Sequence, residues 1–378
     1  MKSRPDILYL FRGAGHGGDA IAMLRLASAM QTRGLNVRCA ASPFEQRFDA
    51  FTNRANRMGL QVDAVEYFSE AGASRLKFAM NLRRYLNRLR PRVVHVVTGN
   101  GFINPSLAIT LALGHRGKRI VTLHGVRSRE LTESKHIRDQ DVSERFFHAV
   151  VTPTEYARQS YLACSAQPRP RRIHVVANLV PPPLDEDMGE RHALGLPTGS
   201  QVVLFAARLV ETKGPLAAIQ AFERIAREHP GAYLVIAGDG PELAACQLAA
   251  HPLNSRVKFV GYQDDIRPLM AVADVFITPS HFESFGLTTV EAMATGAVVV
   301  GFDIPATREL LGGCGRLSPL FDEAALAKNL DWALSNPDAR NALAARSQLR
   351  YEKNYAPEGI VQKHLNVYGL RLPAEVAR

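Results

Sequence analysis

The chain has 378 residues, 46% of them hydrophobic and 22% charged, which suits two globular domains and excludes a disordered, collagenous or coiled-coil chain. Its 46 Lys and Arg against 36 Asp and Glu leave a net charge of +10, a surplus suited to phosphates, nucleic acid or an anionic membrane face. Cysteines at 39, 164, 246 and 314 form no Cys-x-x-Cys spacing and read as reduced thiols of a cytoplasmic protein.

The first predicted element is the strand at 7–11, ILYLF, whose apolar run before Arg12 is too short for a signal peptide. A glycine-rich turn follows, with Gly13, Gly15 and Gly18 spaced as G-x-G-x-x-G and Gly17 beside them. Such a turn lets backbone N–H groups approach a phosphate at a helix N-terminus. Three readings stay open for it: a phosphate or sugar contact, a structural turn, or a dinucleotide site. The dinucleotide reading lacks the expected carboxylate about 20 residues on, where Arg38 could instead receive an NADP phosphate. A helix is predicted over 19–33, with Met23, Leu26, Ala27 and Met30 on one face. Gly34 ends it, and 35–41 reads as the next strand.

Residues 74–90 predict an amphipathic basic helix, with Phe78, Ala79, Leu82, Tyr85, Leu86 and Leu89 on one arc. That arc suits either core packing with a solvated basic face or an anionic-membrane patch. The uncharged window 93–114 contains Asn100, Asn104 and Pro105 and is rejected as a membrane span. The D-x-D strings Asp139–Asp141 and Asp185–Asp187 follow no convincing strand and read as surface acidity, not a metal site. Three consecutive prolines and an acidic run mark 178–190 as a linker.

The second half repeats the β-loop-α-β order: a strand at 202–207, a loop with Arg208 and Lys213, a helix over 215–228, and a strand at 233–238. Short apolar strands alternating with helices predict a parallel sheet covered on both faces. Arg208 offers a planar fork to phosphate oxygens and Lys213 a point charge, although a basic pair in a loop also suits plain solvent. The strand at 273–280 leads into Glu283, a helix starting near Leu287, Glu291 and a terminating Gly296. Free N–H groups at 286–288 suit an anion, and each carboxylate suits a sugar diol or the helix dipole. No G-x-S-x-G or P-loop pattern occurs, and no aromatic-interleaved or zinc-spaced motif supports nucleic-acid binding.

In this order the motifs resemble the retaining GT-B glycosyltransferases of glycosyltransferase family 4. Arg208 and Lys213 match the family's R-x4-K pair, and Glu283 and Glu291 its E-x7-E motif. The segments 234–242 and 257–280, the Gly17-Gly18 pair and His124-Gly125 match as well. Two departures stand out. Asp19 follows the Gly pair directly where the family often has a nearby Glu, and 303–309 replaces a Gly-Gly-x-x-Glu segment, with Glu309 at its terminal position.

The resemblance implies an α/β, GT-B architecture of two Rossmann-like domains with an interdomain cleft. The first is 1–178, acceptor-binding and completed by a helix in 356–378; the second is 179–355, donor-binding. It implies a metal-independent, retaining transferase without a cofactor, moving sugar from a nucleotide-diphosphate donor, UDP-sugar ranked first. The acceptor is a glycan or a lipid-linked molecule in cell-surface polysaccharide or glycolipid assembly, with peripheral contact to the inner membrane face. Arg208 and Lys213 hold the diphosphate, Glu291 the ribose, and Gly261 and Tyr262 lie near the base. Glu283 with Ser284, Phe285, Gly286, Leu287 and Thr288 holds the donor sugar. Gly17 and Gly18 lie beside the diphosphate and His124 near the transferred sugar. An NAD(P) oxidoreductase using 13–18 and a non-catalytic carbohydrate-binding protein are the alternatives.

Overall fold

In the computed structural model, residues 4–12, 17–43, 48–67, 75–99, 105–126, 134–184 and 190–373 are described. The chain divides into two compact units, Met1–Leu179 with Pro357–Arg378, and Val180–Ala356.

The first unit carries strands β1 (Ile7–Arg12), β2 (Val37–Ala41), β3 (Val62–Ala64), β4 (Val93–Thr98), β5 (Lys118–Leu123), β6 (Ala149–Thr152) and β7 (Ile173–Val175). Its helices are α1 (Gly18–Thr32), α2 (Phe48–Arg57), α3 (Arg75–Leu89), α4 (Pro105–Gly114), α5 (Ser134–Glu144) and α6 (Glu155–Ala163). The second unit carries α7 (Glu190–Ala193), β8 (Gln201–Ala206), α8 (Pro215–Ile225), β9 (Ala232–Ala237), α9 (Leu243–Ala250), β10 (Val257–Gly261) and α10 (Arg267–Val272). It continues with β11 (Val275–Thr278), α11 (Leu287–Thr295), β12 (Val298–Phe302), α12 (Pro305–Leu311), β13 (Arg316–Ser318), α13 (Glu323–Ser335) and α14 (Pro337–Asn354). Helix α15 (Pro357–Tyr368) belongs to the first unit.

Both sheets are parallel, ordered β3-β2-β1-β4-β5-β6-β7 and β10-β9-β8-β11-β12-β13. Their central strands are rich in Val, Ile, Leu and Phe because helices cover both faces; Leu8, Val94, Leu204 and Val300 are fully buried. In each sheet the chain moves outward to one side and then returns to the other side of its first strand. The strand order therefore reverses between β1 and β4 and between β8 and β11, and such switch points open crevices at carboxyl ends.

The structure decides two readings that the sequence left open. The apolar arc of α3 is core: Phe78, Leu82, Tyr85 and Leu86 are buried, while Leu76 and Met80 are exposed. Arg38 is not offered to a phosphate, since its guanidinium donates to Gln61 Oε1 at 2.7 Å and to Asp63 at 2.8 and 3.0 Å. Gly13 and Gly15 lie outside the described residues, as do Asp185 and Asp187. In the other D-x-D string, Asp141 accepts from Ser165 Oγ at 2.5 Å and Ala166 N at 3.0 Å, tying α5 to the turn after α6.

Helix α15 docks on the first sheet through a buried polar chain. Tyr368 OH meets His95 Nδ1 at 2.6 Å and Tyr9 OH at 3.2 Å, and His95 Nε2 meets Thr122 Oγ1 at 2.7 Å. Tyr368→Phe leaves two buried polar atoms unpaired and is expected to cost about 1–3 kcal/mol, read from chemical denaturation; an unchanged midpoint contradicts the docking role. Burial also pushes His95 well below its ordinary value and His115 and His364 to about 4. Between about pH 6.5 and 4 the unfolded chain therefore binds more protons than the folded one. Stability is expected to be full above that window and to fall as the pH drops through it, as a thermal-unfolding series from pH 7.5 to 4.5 would show. A midpoint that rises on acidification contradicts this.

Candidate functional site

The carboxyl ends of β8 and β11 position the two strongest sequence motifs. These strands are hydrogen-bonded neighbours, with Val203 opposite Val275 and Leu204 opposite Phe276. The loop after β8 carries Arg208 and a tight helical turn, Glu211–Lys213. The loop after β11 carries Ser280, His281 and Glu283 before α11. Residues some 70 apart in the chain are thus adjacent by strand pairing.

Two backbone features stitch the loops together. His281 N donates to Thr212 O at 2.9 Å. Gly214 has φ +66°, and a Cβ there would meet Pro279 O at 2.2 Å, so only glycine permits both the left-handed turn and the close approach. Pro215 then opens α8 at a position where its missing N–H costs nothing.

The result is a side-chain pair across the switch point. Lys213 Nζ lies 2.5 Å from Glu283 Oε1, and Ser280 Oγ donates to the same oxygen at 3.1 Å. Both bonds end on Oε1, which leaves Oε2 for a ligand hydroxyl. Lys213 and Glu283 keep 21% and 17% of their side-chain surface, so the pair fixes geometry more than it adds stability. Arg208 is exposed and carries no ion pair among the described residues.

Helix α11 begins after Gly286 and ends at Gly296, each with positive φ. Its first N–H groups have no intrahelical acceptors and face the loop end. Glu291, in its second turn, is 4% exposed and close enough to Arg267 to favour that guanidinium's charge. The larger effect on Arg267 is its hydrogen bonding to Asp265. Phe285 is buried, and Ser284, Leu287 and Thr288 are partly exposed. On the neighbouring strand ends, Gly238 N donates to Gly261 O at 2.8 Å, Leu209 N donates to Asp239 O at 2.9 Å, and Tyr262 is half exposed.

The structure thus joins Lys213 to Glu283 directly and sets Arg208, Tyr262 and Glu291 on loops or a helix, and Gly261 at the end of β10, along the same sheet edge. Gly17, Gly18 and His124 lie in the other unit. Asp303 is engaged by Arg308 at 2.7 and 2.8 Å, and the Glu309 carbonyl accepts from Arg350. Sequence reasoning missed Ser280, Gly214 and Arg267. Gly214, set between Lys213 and Pro215, was the one with a readable signal.

A family model described as Glycosyl transferases group 1 matches residues 189–350, and one described as Glycosyltransferase Family 4 matches residues 16–182. The lipopolysaccharide core biosynthesis glycosyltransferase LpsE of Rhizobium meliloti is 30% identical over 182 residues, covering 47% of this chain and 52% of that protein. The phosphatidyl-myo-inositol mannosyltransferase of Mycobacterium tuberculosis is 28% identical over 389 residues, 96% of each chain. The chain therefore spans about half the length of the first relative and nearly all of the second. Among solved structures, Anabaena HepE in complex with UDP and glucose superposes with a TM-score of 0.80 at 20% identity, covering 97% of this chain and 100% of that one.

Gly214→Ala adds a clash with Pro279 to left-handed strain, whereas Gly313, at φ +83°, has open space around its Cβ position. Strain alone costs about 1–3 kcal/mol. Gly214→Ala is expected to destabilise clearly more than Gly313→Ala in urea unfolding; equal costs contradict the close approach.

Proposed function

This chain belongs to the group 1, family 4 glycosyltransferases of the GT-B fold, and on that premise we propose that it moves a sugar from a nucleoside-diphosphate donor to a glycan or lipid-linked acceptor in polysaccharide or glycolipid assembly. The observation that carries this reading is the Lys213–Glu283 pair at the β8/β11 switch point, with an exposed Arg208 on the same loop. A cation pair beside a sugar-binding carboxylate suits a phosphorylated sugar better than any other ligand class.

The chemistry follows from where charge develops. As the anomeric C–O bond breaks, the diphosphate gains negative charge and the sugar ring gains positive charge. Arg208 as a bidentate fork and Lys213 as a point charge stabilise the leaving diphosphate more in the transition state than in the ground state. This countercharge takes the place of a metal. Glu291 holds the ribose hydroxyls. Glu283 holds the sugar hydroxyls with the segment Ser284, Phe285, Gly286, Leu287 and Thr288, while Gly261 and Tyr262 border the base. The reaction retains anomeric configuration by a front-face route: the acceptor oxygen bonds to the anomeric carbon as the leaving phosphate departs and takes the acceptor's proton. Glu283 is paired to Lys213 and Ser280, which disfavours it as a covalent nucleophile. A UDP-sugar ranks first because HepE was solved with UDP and glucose.

The LpsE and phosphatidyl-myo-inositol mannosyltransferase relatives favour a lipid-linked acceptor. No helix among the described residues is long and apolar enough to cross a membrane. Contact with an anionic membrane face would rest on exposed Leu76 and Met80 beside Lys77, Arg83, Arg84 and Arg88 on α3, not on the helix's buried arc. The oxidoreductase alternative loses its phosphate anchor, since Arg38 is held by Gln61 and Asp63.

Incubation with a panel of nucleotide sugars is expected to release nucleoside diphosphate from at least one donor. Lys213→Ala should slow that release about 10²–10³-fold, and Glu291→Ala should weaken donor binding measured by calorimetry. Unaltered release by Lys213→Ala would contradict the assignment.

A further inference from the structure

A second constellation lies at the carboxyl ends of the first sheet, past β1, β4 and the next strand, β5. Asp19 sits in the first turn of α1, and its carboxylate is wedged between two glycines. A Cβ on Gly17 would meet Asp19 Oδ1 at 2.2 Å, and one on Gly99 would meet Oδ2 at 2.3 Å. Gly99 directly follows β4, and β4 pairs with β1 on one side and β5 on the other. His124 directly follows β5, and its N–H donates to the carbonyl of Thr98, the residue before Gly99, at 3.1 Å. His124 is 4% exposed, and its Nε2 has no hydrogen-bond partner among the described residues. A buried nitrogen left unpaired is costly and calls for a reason.

The surrounding charges give His124 a distinct place. His95 on β4 and His364 on α15 are buried in the same region. Burial is the main cause that lowers both, and a charge on His124 lowers both further. Burial lowers His124 too, but Asp19 pulls in the opposite direction. His95 spends both ring nitrogens on Tyr368 and Thr122, and His364 Nδ1 is bonded to the Ile360 carbonyl. Of the three, His124 is the one for which a nearby carboxylate opposes the effect of burial.

We propose that Asp19 is a positioning residue for His124, holding the imidazole in one orientation so that Nε2 faces a hydroxyl or anionic group of the ligand as a proton-bearing contact. The nature of that ligand rests on the glycosyltransferase reading; the dyad itself does not. If Asp19 only complemented the N-terminus of α1, removing its charge would leave the imidazole untouched.

The experiment follows the histidine rings of the full-length, 15N-histidine-labelled chain by NMR across pH, with His124 assigned by His124→Gln. Wild type, Asp19→Asn and Asp19→Glu are compared. Asp19→Asn is expected to lower the His124 midpoint by about one pH unit or more, and Asp19→Glu to recover part of it. In a transfer assay the limb of the pH–rate profile set by His124 moves to lower pH in Asp19→Asn. An unchanged His124 midpoint in Asp19→Asn overturns the proposal, as does a wild-type His124 that takes up no proton before acid unfolding. A shifted midpoint in a chain that turns over no nucleotide sugar keeps the dyad and counts against the proposed function instead.

Discussion

The pairing of β8 with β11 is the constraint on which the site depends. A parallel sheet cannot join neighbouring strands by a hairpin, so each strand end is followed by a loop and a helix on one face or the other. Where the strand order reverses, two successive loops diverge and leave a crevice at the carboxyl edge. Residues that fall just past β8 and β11 meet there whatever their distance in the chain. The 2.5 Å contact between Lys213 and Glu283 is the product of that topology. The hydrogen bond from His281 to Thr212 and the approach of Gly214 to Pro279 then hold it in place.

The first unit uses the same device with different chemistry. Its switch point lies between β1 and β4, where a carboxylate sits between two glycines, and a buried imidazole follows the next strand, β5. The second unit presents cations and carboxylates in partial contact with water, fit to meet a charged ligand. The first presents a shielded, nearly dry imidazole beside a carboxylate. Helix α15 contributes His364 and Tyr368 to the first unit's interior, so the last helix of the chain helps to set the environment of His124.

Much of this was legible in the residues. Period and capping placed α11 between Leu287 and Gly296, where it lies, and the apolar runs located β1, β8 and β9 to within a residue or so. The helix expected over 215–228 ends at Ile225, because the chain leaves it through a turn in which Glu228 and His229 both bond to the Ile225 carbonyl. The arc on α3 had two readings, and only tertiary packing could choose between them. Arg38 illustrates the same limit: its partners Gln61 and Asp63 come from the neighbouring edge strand and its approach, which no local pattern reveals. Likewise, the spacing of R-x4-K and E-x7-E singled out Lys213 and Glu283, but the ion pair between them and its Ser280 support depend on strand order.

The central claim is that the loops after β8 and β11 form one receptor for a nucleoside diphosphate. A crystal structure of the chain soaked with UDP tests it most directly. The account predicts diphosphate oxygens within hydrogen-bond distance of both Arg208 and Lys213, with the ribose at Glu291. A nucleotide bound elsewhere, with Lys213 still closed on Glu283 and no phosphate beside it, would contradict the account.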